Sequence, residues 1–142
     1  MSRWSPQPAP DEVDGLILFD GVCIFCSRWV RFVIARDPER RFRFVAVQSD
    51  AGRELAARHG IDPEAPQTNA VVWGGRIFFK SDAALTVLGR LRGARALARL
   101  KAVPRVLRDP VYDLFARNRY AIFGRTATCM VPTPGDRARF IA

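Results

Sequence analysis

Two cysteines separated by two residues, Cys23-Ile24-Phe25-Cys26, carry the clearest chemistry in this sequence. Spaced so on the first turn of a helix, their sulfurs come close enough for a disulfide. At a helix N-terminus the unpaired amides and the dipole favour the thiolate of the first cysteine. Thiolate is the attacking species in disulfide exchange, so the spacing has a mechanism. Val22, Trp29 and Val30, three or four residues from Cys26, and Val33, two turns on along the same face, are all apolar, which predicts a buried thiol. Cys23 adjoins the polar stripe of Ser27, Arg28 and Arg31 and is expected to be the more exposed. Cys23 is therefore the expected attacking thiol and Cys26 the resolving one. Asp20 has two readings. It is either a carboxylate that accepts or relays the proton of Cys26, or a cap on backbone amides. Ile24 falls on the polar stripe although it is apolar, and reads either as a contact for an apolar stretch of substrate or as an isolated exposed side chain.

Other uses of the same residues compete with this one. Cys23, Cys26, Cys129 and His59 make up a Cys₃His zinc set by type, but there is no second close pair, and His59 reads more simply as a solvated residue at a helix end. A c-type haem attachment needs His after the second cysteine, where Ser27 stands. No metal and no cofactor are expected. Cys129 reads either as an ordinary thiol or as one that docks near the dithiol.

The elements that must position the pair follow from periodicity. Gly15 to Phe19 is a short apolar run, a strand buried on both faces. Cys23 to about Arg36 is helical and ends before Pro38. A strand is expected over Phe42–Val47, and a helix capped by Ser49 or Asp50 runs to about His59. Strands over Asn69–Trp73 and Arg76–Phe79 flank a Gly74-Gly75 hairpin. A third helix, capped by Ser81 or Asp82, runs to about Arg92. Helix is also expected from about Arg95 to Arg119, broken near Pro104 and Pro110. Residues 1–14, with three prolines, read as a flexible tail before one domain over 15–142. The order is β-α-β-α-β-β-α with a C-terminal helical extension, an α/β chain whose element order is that of a thioredoxin-like fold.

Asp20-Gly21-Val22-Cys23-Ile24-Phe25-Cys26 reads D-x-x-C-x-x-C and resembles the signature of the DCC family of thiol–disulfide oxidoreductases. The stretch Tyr112-Asp113-Leu114-Phe115-Ala116-Arg117-Asn118-Arg119-Tyr120, followed by Phe123-Gly124, looks like that family's C-terminal block. The resemblance implies a thioredoxin-like fold and dithiol redox chemistry. Such folds place a cis-proline facing the dithiol. Here Gln67 falls at that position and Pro66 one residue away. Ile24, Phe25, Gln67 and Thr68 are the expected substrate contacts. In the C-terminal block, Tyr112, Phe115 and Phe123 are expected to anchor the extension on the core, with Arg117, Asn118 and Arg119 structural and Asp113 as the nearest carboxylate. The alternative has those arginines lining the dithiol cleft and lowering the Cys23 pKa.

Composition sets the outer bounds. The 142 residues are 49% hydrophobic and 26% charged, enough to bury a core and unlike a disordered or disulfide-stapled chain. No apolar run suits a transmembrane helix, and the polar, Pro-rich start predicts no signal peptide. With three cysteines, a reduced, cytoplasmic protein is expected. Net charge is +9, with −1 on residues 1–75 and +10 on residues 76–142. The basic half admits nucleic acid, an acidic partner or anionic lipid, or is simply an arginine-rich composition. The expected activity is an enzymatic one: exchange with a protein or small-molecule disulfide or thiol, recharged by an electron donor the sequence does not identify. A basic binding module with a non-catalytic or zinc-binding CxxC is the alternative.

Overall fold

The computed structural model describes residues 6–62, 64, 68–125 and 134–141. In chain order they form β1 (Gln7–Pro8), β2 (Leu16–Phe19), α1 (Ile24–Ala35), β3 (Arg43–Ala46), α2 (Asp50–Arg58), β4 (Ala70–Trp73), β5 (Arg76–Phe79), α3 (Lys80–Leu88), a 3-10 helix (Arg95–Ala102), α4 (Arg105–Phe123), a short 3-10 turn (Arg137–Arg139) and β6 (Phe140–Ile141). The sheet order is β1-β5-β4-β2-β3-β6. β2 pairs parallel with β3 and antiparallel with β4, and β4 pairs antiparallel with β5. This is a mixed α/β sheet of thioredoxin-like type. All four residues of β2 are buried, as a continuous apolar run in mid-sheet requires.

Alternation along the strands splits the core in two. Leu16, Leu18, Val45, Val47, Val72 and Ile77 face α2 and its Leu55 and Ala56. Ile17, Phe19, Phe44 and Val71 face Val30 and Val33 of α1 and Ala83 and Val87 of α3. The dithiol helix thus lies on the same sheet face as α3, and α2 lies on the other.

Four features differ from the sequence expectation. From residue 6 on, the expected tail is laid on the sheet: β1 pairs antiparallel with β5, and Ala9 is buried. The end of the chain returns as β6 beside β3. Both added strands are two residues long, too short to show a period. Third, α3 begins at Lys80 with no side-chain cap of its own. The Thr68 hydroxyl accepts the Lys80 N–H at 2.7 Å instead, while Ser81 bonds Asp109 and Asp82 pairs with Arg108. Fourth, the chain breaks at Pro104 but Pro110 lies inside α4. Pro110 and Val106, whose carbonyl the missing N–H would have met, are both on the exposed side, where that carbonyl is open to solvent. Arg108 and Tyr112, on either side of the proline, are held by Asp82 and Asn69.

Candidate active site

The end of β2 runs through Asp20 and a tight turn into α1. Cys23 is the N-cap residue, and its Sγ accepts the Cys26 N–H at 3.4 Å. Both thiols are free. A hydrogen bond from the Cys26 thiol, the Cys26 N–H and the charge of Arg119 bring the Cys23 pKa down to about 6, against burial and the charge of Asp20. Cys26 is pushed up strongly by that same thiol bond, by burial and by the negative charge of Cys23. The pair is poised as a thiolate at the helix start and a protonated thiol one turn in.

Exposure runs opposite to the sequence expectation. Cys23 has 0% of its surface exposed and Cys26 is partly exposed. Helix neighbours alone omit what comes from elsewhere. The chain leaving α4 crosses the start of α1, where Gly124 O accepts the Ile24 N–H at 3.3 Å and Arg125 bridges to Cys23. Gly124 holds φ +93°, and a Cβ there would lie 3.1 Å from Ile24 Cδ1. Ile24 therefore meets this cover, rather than standing free beside the nucleophile. Cys26, deeper in the fold, borders a cavity.

Asp20 is buried and fully bonded. Its carboxylate accepts from Val22 N (3.2 Å), Gln48 Nε2 (2.7 Å), Arg119 (3.2 Å) and the Tyr120 hydroxyl. Burial works to raise its pKa. The four donors, led by Tyr120, outweigh burial and hold it below the ordinary carboxylate range. Tyr120 is pushed up to about 12 by burial and by its bond to Asp20. Of the two readings of Asp20, capping is met by the Val22 amide, and an ionised carboxylate with four donors is a weak proton acceptor.

Arg119 was expected to be structural, near Asp113. Instead it bonds Asp20 and acts electrostatically on both cysteines, while Asp113 pairs with Lys80 at 2.7 Å. Arg117 and Asn118 point outward from the same helix and are exposed. The reason is helical phase: Tyr112, Phe115, Arg119 and Phe123 share the inner face of α4. The aromatic anchoring is as expected, with Phe25 meeting Phe115 at 4.7 Å and Phe123 at 4.9 Å between ring centroids. The Tyr112 hydroxyl accepts from Asn69 N and donates to Asn69 Oδ1.

Between α1, α3 and α4 lies a mostly apolar cavity of about 360 Å³. Phe25, Trp29, Leu88 and Phe115 wall it, with Cys26, Thr68 and Arg119 at its polar edge. Of the expected substrate contacts, Phe25 and Thr68 line it. Ile24 does not, and Gln67 lies outside the described residues, as do Pro66 and Cys129. His59 packs against Phe79 on the α2 side of the sheet, so it does not join the dithiol. Among the described residues no group of three His, Cys, Asp or Glu is placed to hold a metal ion.

Arg119, Tyr120 and Gln48 are the site residues that the motif did not reveal. Gln48 was within reach of sequence reasoning. β2 and β3 are parallel with Phe19 opposite Ala46, so the residues just past each strand meet. Arg119 and Tyr120 lie 99 and 100 residues from Asp20, and no local pattern links them to it.

The sequence model of the DCC1-like thiol-disulfide oxidoreductase family matches residues 17–125, from β2 to the cover over Cys23. The uncharacterized protein YuxK of Bacillus subtilis (strain 168) is 38% identical over 127 residues, 89% of this chain and 93% of that protein. The chloroplastic DCC family protein At1g52590 of Arabidopsis thaliana is 38% identical over 116 residues, 80% of this chain and 67% of that protein. No solved structure gives a significant match. From the strand that leads into the dithiol turn to the segment that covers it, this chain belongs to the DCC1-like thiol-disulfide oxidoreductase family.

Proposed function

We propose that this protein is an enzyme of thiol–disulfide exchange in which Cys23 attacks and Cys26 resolves. The observation that carries the reading is the N-cap position of Cys23, with the Cys26 N–H on its sulfur. The Cys23 thiolate attacks one sulfur of a substrate disulfide. The S–S bond breaks, one half leaves as a thiolate that takes a proton from solvent, and the other is held as a mixed disulfide on Cys23. Cys26 then attacks Cys23 Sγ, and its proton passes to the departing sulfur. The second half leaves, and the two electrons of the dithiol now reside in the substrate thiols. Arg119 favours the anion at both sulfurs. Asp20 is a positioning residue that aims Arg119.

The cavity beside Cys26 receives the apolar part of the substrate, with Phe25 and Thr68 in contact. A free dithiol suits a reducing compartment such as the cytoplasm, with a thiol donor returning the electrons. The exchange needs no metal or organic cofactor.

Trapping separates the roles. Cys26→Ser should accumulate a mixed disulfide on Cys23, seen by mass spectrometry, and Cys23→Ser should accumulate none. The reverse pattern assigns the attack to Cys26. Stoichiometric zinc in the purified protein, or a CxxC that forms no disulfide under mild oxidation, overturns the enzyme reading in favour of a binding module.

A further inference from the structure

The inner face of α4 closes the dithiol site. Its outer face touches nothing described. Val106, Leu107, Val111, Leu114 and Ile122 fall within one half of the helix circumference and are 58–78% exposed. Leu97 and Leu100 of the preceding 3-10 helix are exposed as well, at 45% and 50%. Five exposed apolar side chains on one face of a helix mark a contact surface rather than scattered exposure.

What surrounds the patch selects the occupant. Residues 92–125 hold nine Arg or Lys and only two acids, Asp109 and Asp113. Both acids are engaged, Asp109 with Ser81 and Asp113 with Lys80. Arg92, Arg95, Arg99, Arg117 and Arg125 are exposed, while the Lys101 ammonium turns in to the Thr86 hydroxyl. A second copy of the chain is a poor match, because a two-fold contact through this face sets the same cations against themselves. A nucleic acid would meet the cations but leave the leucine and valine side chains without a partner. An apolar stripe bordered by arginines fits an anionic bilayer, with the side chains at the acyl boundary and the guanidiniums among the phosphates. Among the described residues no helix is long and apolar enough to cross a membrane, so α4 would lie in the plane of the surface.

We infer that the outer face of α4, with the 3-10 helix before it, docks the protein on anionic membrane surfaces. The inference does not depend on the dithiol chemistry.

Flotation of the full chain with vesicles tests it. The protein should float with phosphatidylcholine vesicles that contain phosphatidylglycerol and much less with phosphatidylcholine alone. The triple substitution Leu107→Ser, Val111→Ser, Leu114→Ser should lower the partition coefficient by about tenfold or more. Circular dichroism and disulfide formation should be unchanged, because these side chains are mostly exposed and belong to neither core cluster. Arg95→Gln, Arg99→Gln should weaken binding to the charged vesicles without touching the apolar stripe. Three results overturn the inference: no flotation with either vesicle; flotation that the serine variant retains in full, which is charge attraction alone; or a wild-type dimer that the serine variant turns into a monomer, which assigns the face to a second copy.

Discussion

Two buried aspartate–arginine pairs in this molecule are built alike, and only one belongs to the site. Asp20 follows β2, caps the Val22 amide and takes Arg119 from 99 residues away. Asp37 follows α1, accepts from Arg41 N and Phe42 N, and takes Arg139 from 102 residues away at 2.5 Å. Each closes the fold by tying an early turn to the C-terminal part of the chain. Arg139 also donates twice to Phe42 O, so the Asp37 pair seals β3 to the chain end. Arg119 faces two thiols and a cavity. Burial and ionic pairing are therefore no mark of function by themselves. The mark is a titratable neighbour whose protonation the pair alters, with room for a reactant beside it.

The largest expected effect lies in the structural pair. Arg139→Met leaves the Asp37 carboxylate buried without its guanidinium, which should cost about 3–5 kcal/mol of stability. Urea unfolding measures the loss, and the Cys23 titration should stay where it is. A loss under about 1 kcal/mol would mean that water replaces the pair readily and that the two pairs differ in burial after all.

The thiol itself should make stability depend on pH. The folded Cys23 pKa of about 6 lies below its ordinary value of 9.0. Between these values the unfolded thiol holds a proton that the folded thiolate has lost, so stability rises as pH rises. It falls away again as pH drops through 6. The slope is at most about 1.4 kcal/mol per pH unit, less the screening by solvent through a thin cover. Unfolding of the reduced protein from pH 6 to 8.5, against Cys23→Ser, isolates this contribution. Parallel curves would show that Cys23 carries no depressed pKa.

The two members of the site pair should shift Cys23 in opposite directions. Arg119 lowers its pKa and Asp20 raises it. Arg119→Met should move the thiolate absorbance titration up, and Asp20→Asn should move it down. Alkylation at neutral pH should slow by about a few-fold in Arg119→Met and stay nearly unchanged in Asp20→Asn, because a thiol with a pKa of about 6 is already mostly thiolate there. Asp37→Asn and Arg139→Met should move it neither way. Shifts of the same sign in both site variants would point to general loosening of the turn.

The sequence made much of this legible, and for definite reasons. The apolar run at Leu16–Phe19 and the helix after Cys23 show because burial on two faces and on one face leave different periods. The dithiol shows because its chemistry is local. The cover over Cys23 does not show, since it depends on where α4 ends in space. β1 and β6 are too short for a pattern. Pro110 reads as a breaker in the sequence because nothing local shows that the carbonyl it leaves unpaired, that of Val106, lies on the exposed side of α4. Arg119 was named within a family-like block, but its phase on the helix, not its neighbours in sequence, decides that it meets Asp20 while Arg117 meets solvent.

The smallest expected effect concerns that cover and sets it against the pin at Arg139. The chain end is pinned by three hydrogen bonds from one buried guanidinium. The cover meets the start of α1 through the Gly124 carbonyl on the Ile24 N–H, beside the Arg125 bridge. Gly124 sits at φ 93° and ψ 171°, a conformation nearly confined to glycine. Gly124→Ala adds strain of about 1–3 kcal/mol if the segment stays in place. It also brings a methyl group 3.1 Å from Ile24 Cδ1. The segment can avoid that strain by peeling away, since it lies outside α4 and neither core cluster depends on it. Global stability should then fall by only about 1 kcal/mol or less. Alkylation of Cys23 by iodoacetamide should quicken at fixed pH, with the thiolate titration unmoved, because access changes and charge does not. An unchanged alkylation rate would show that reagents reach Cys23 by another route, through the cavity at Cys26, and would remove the cover from the account of how the nucleophile is shielded.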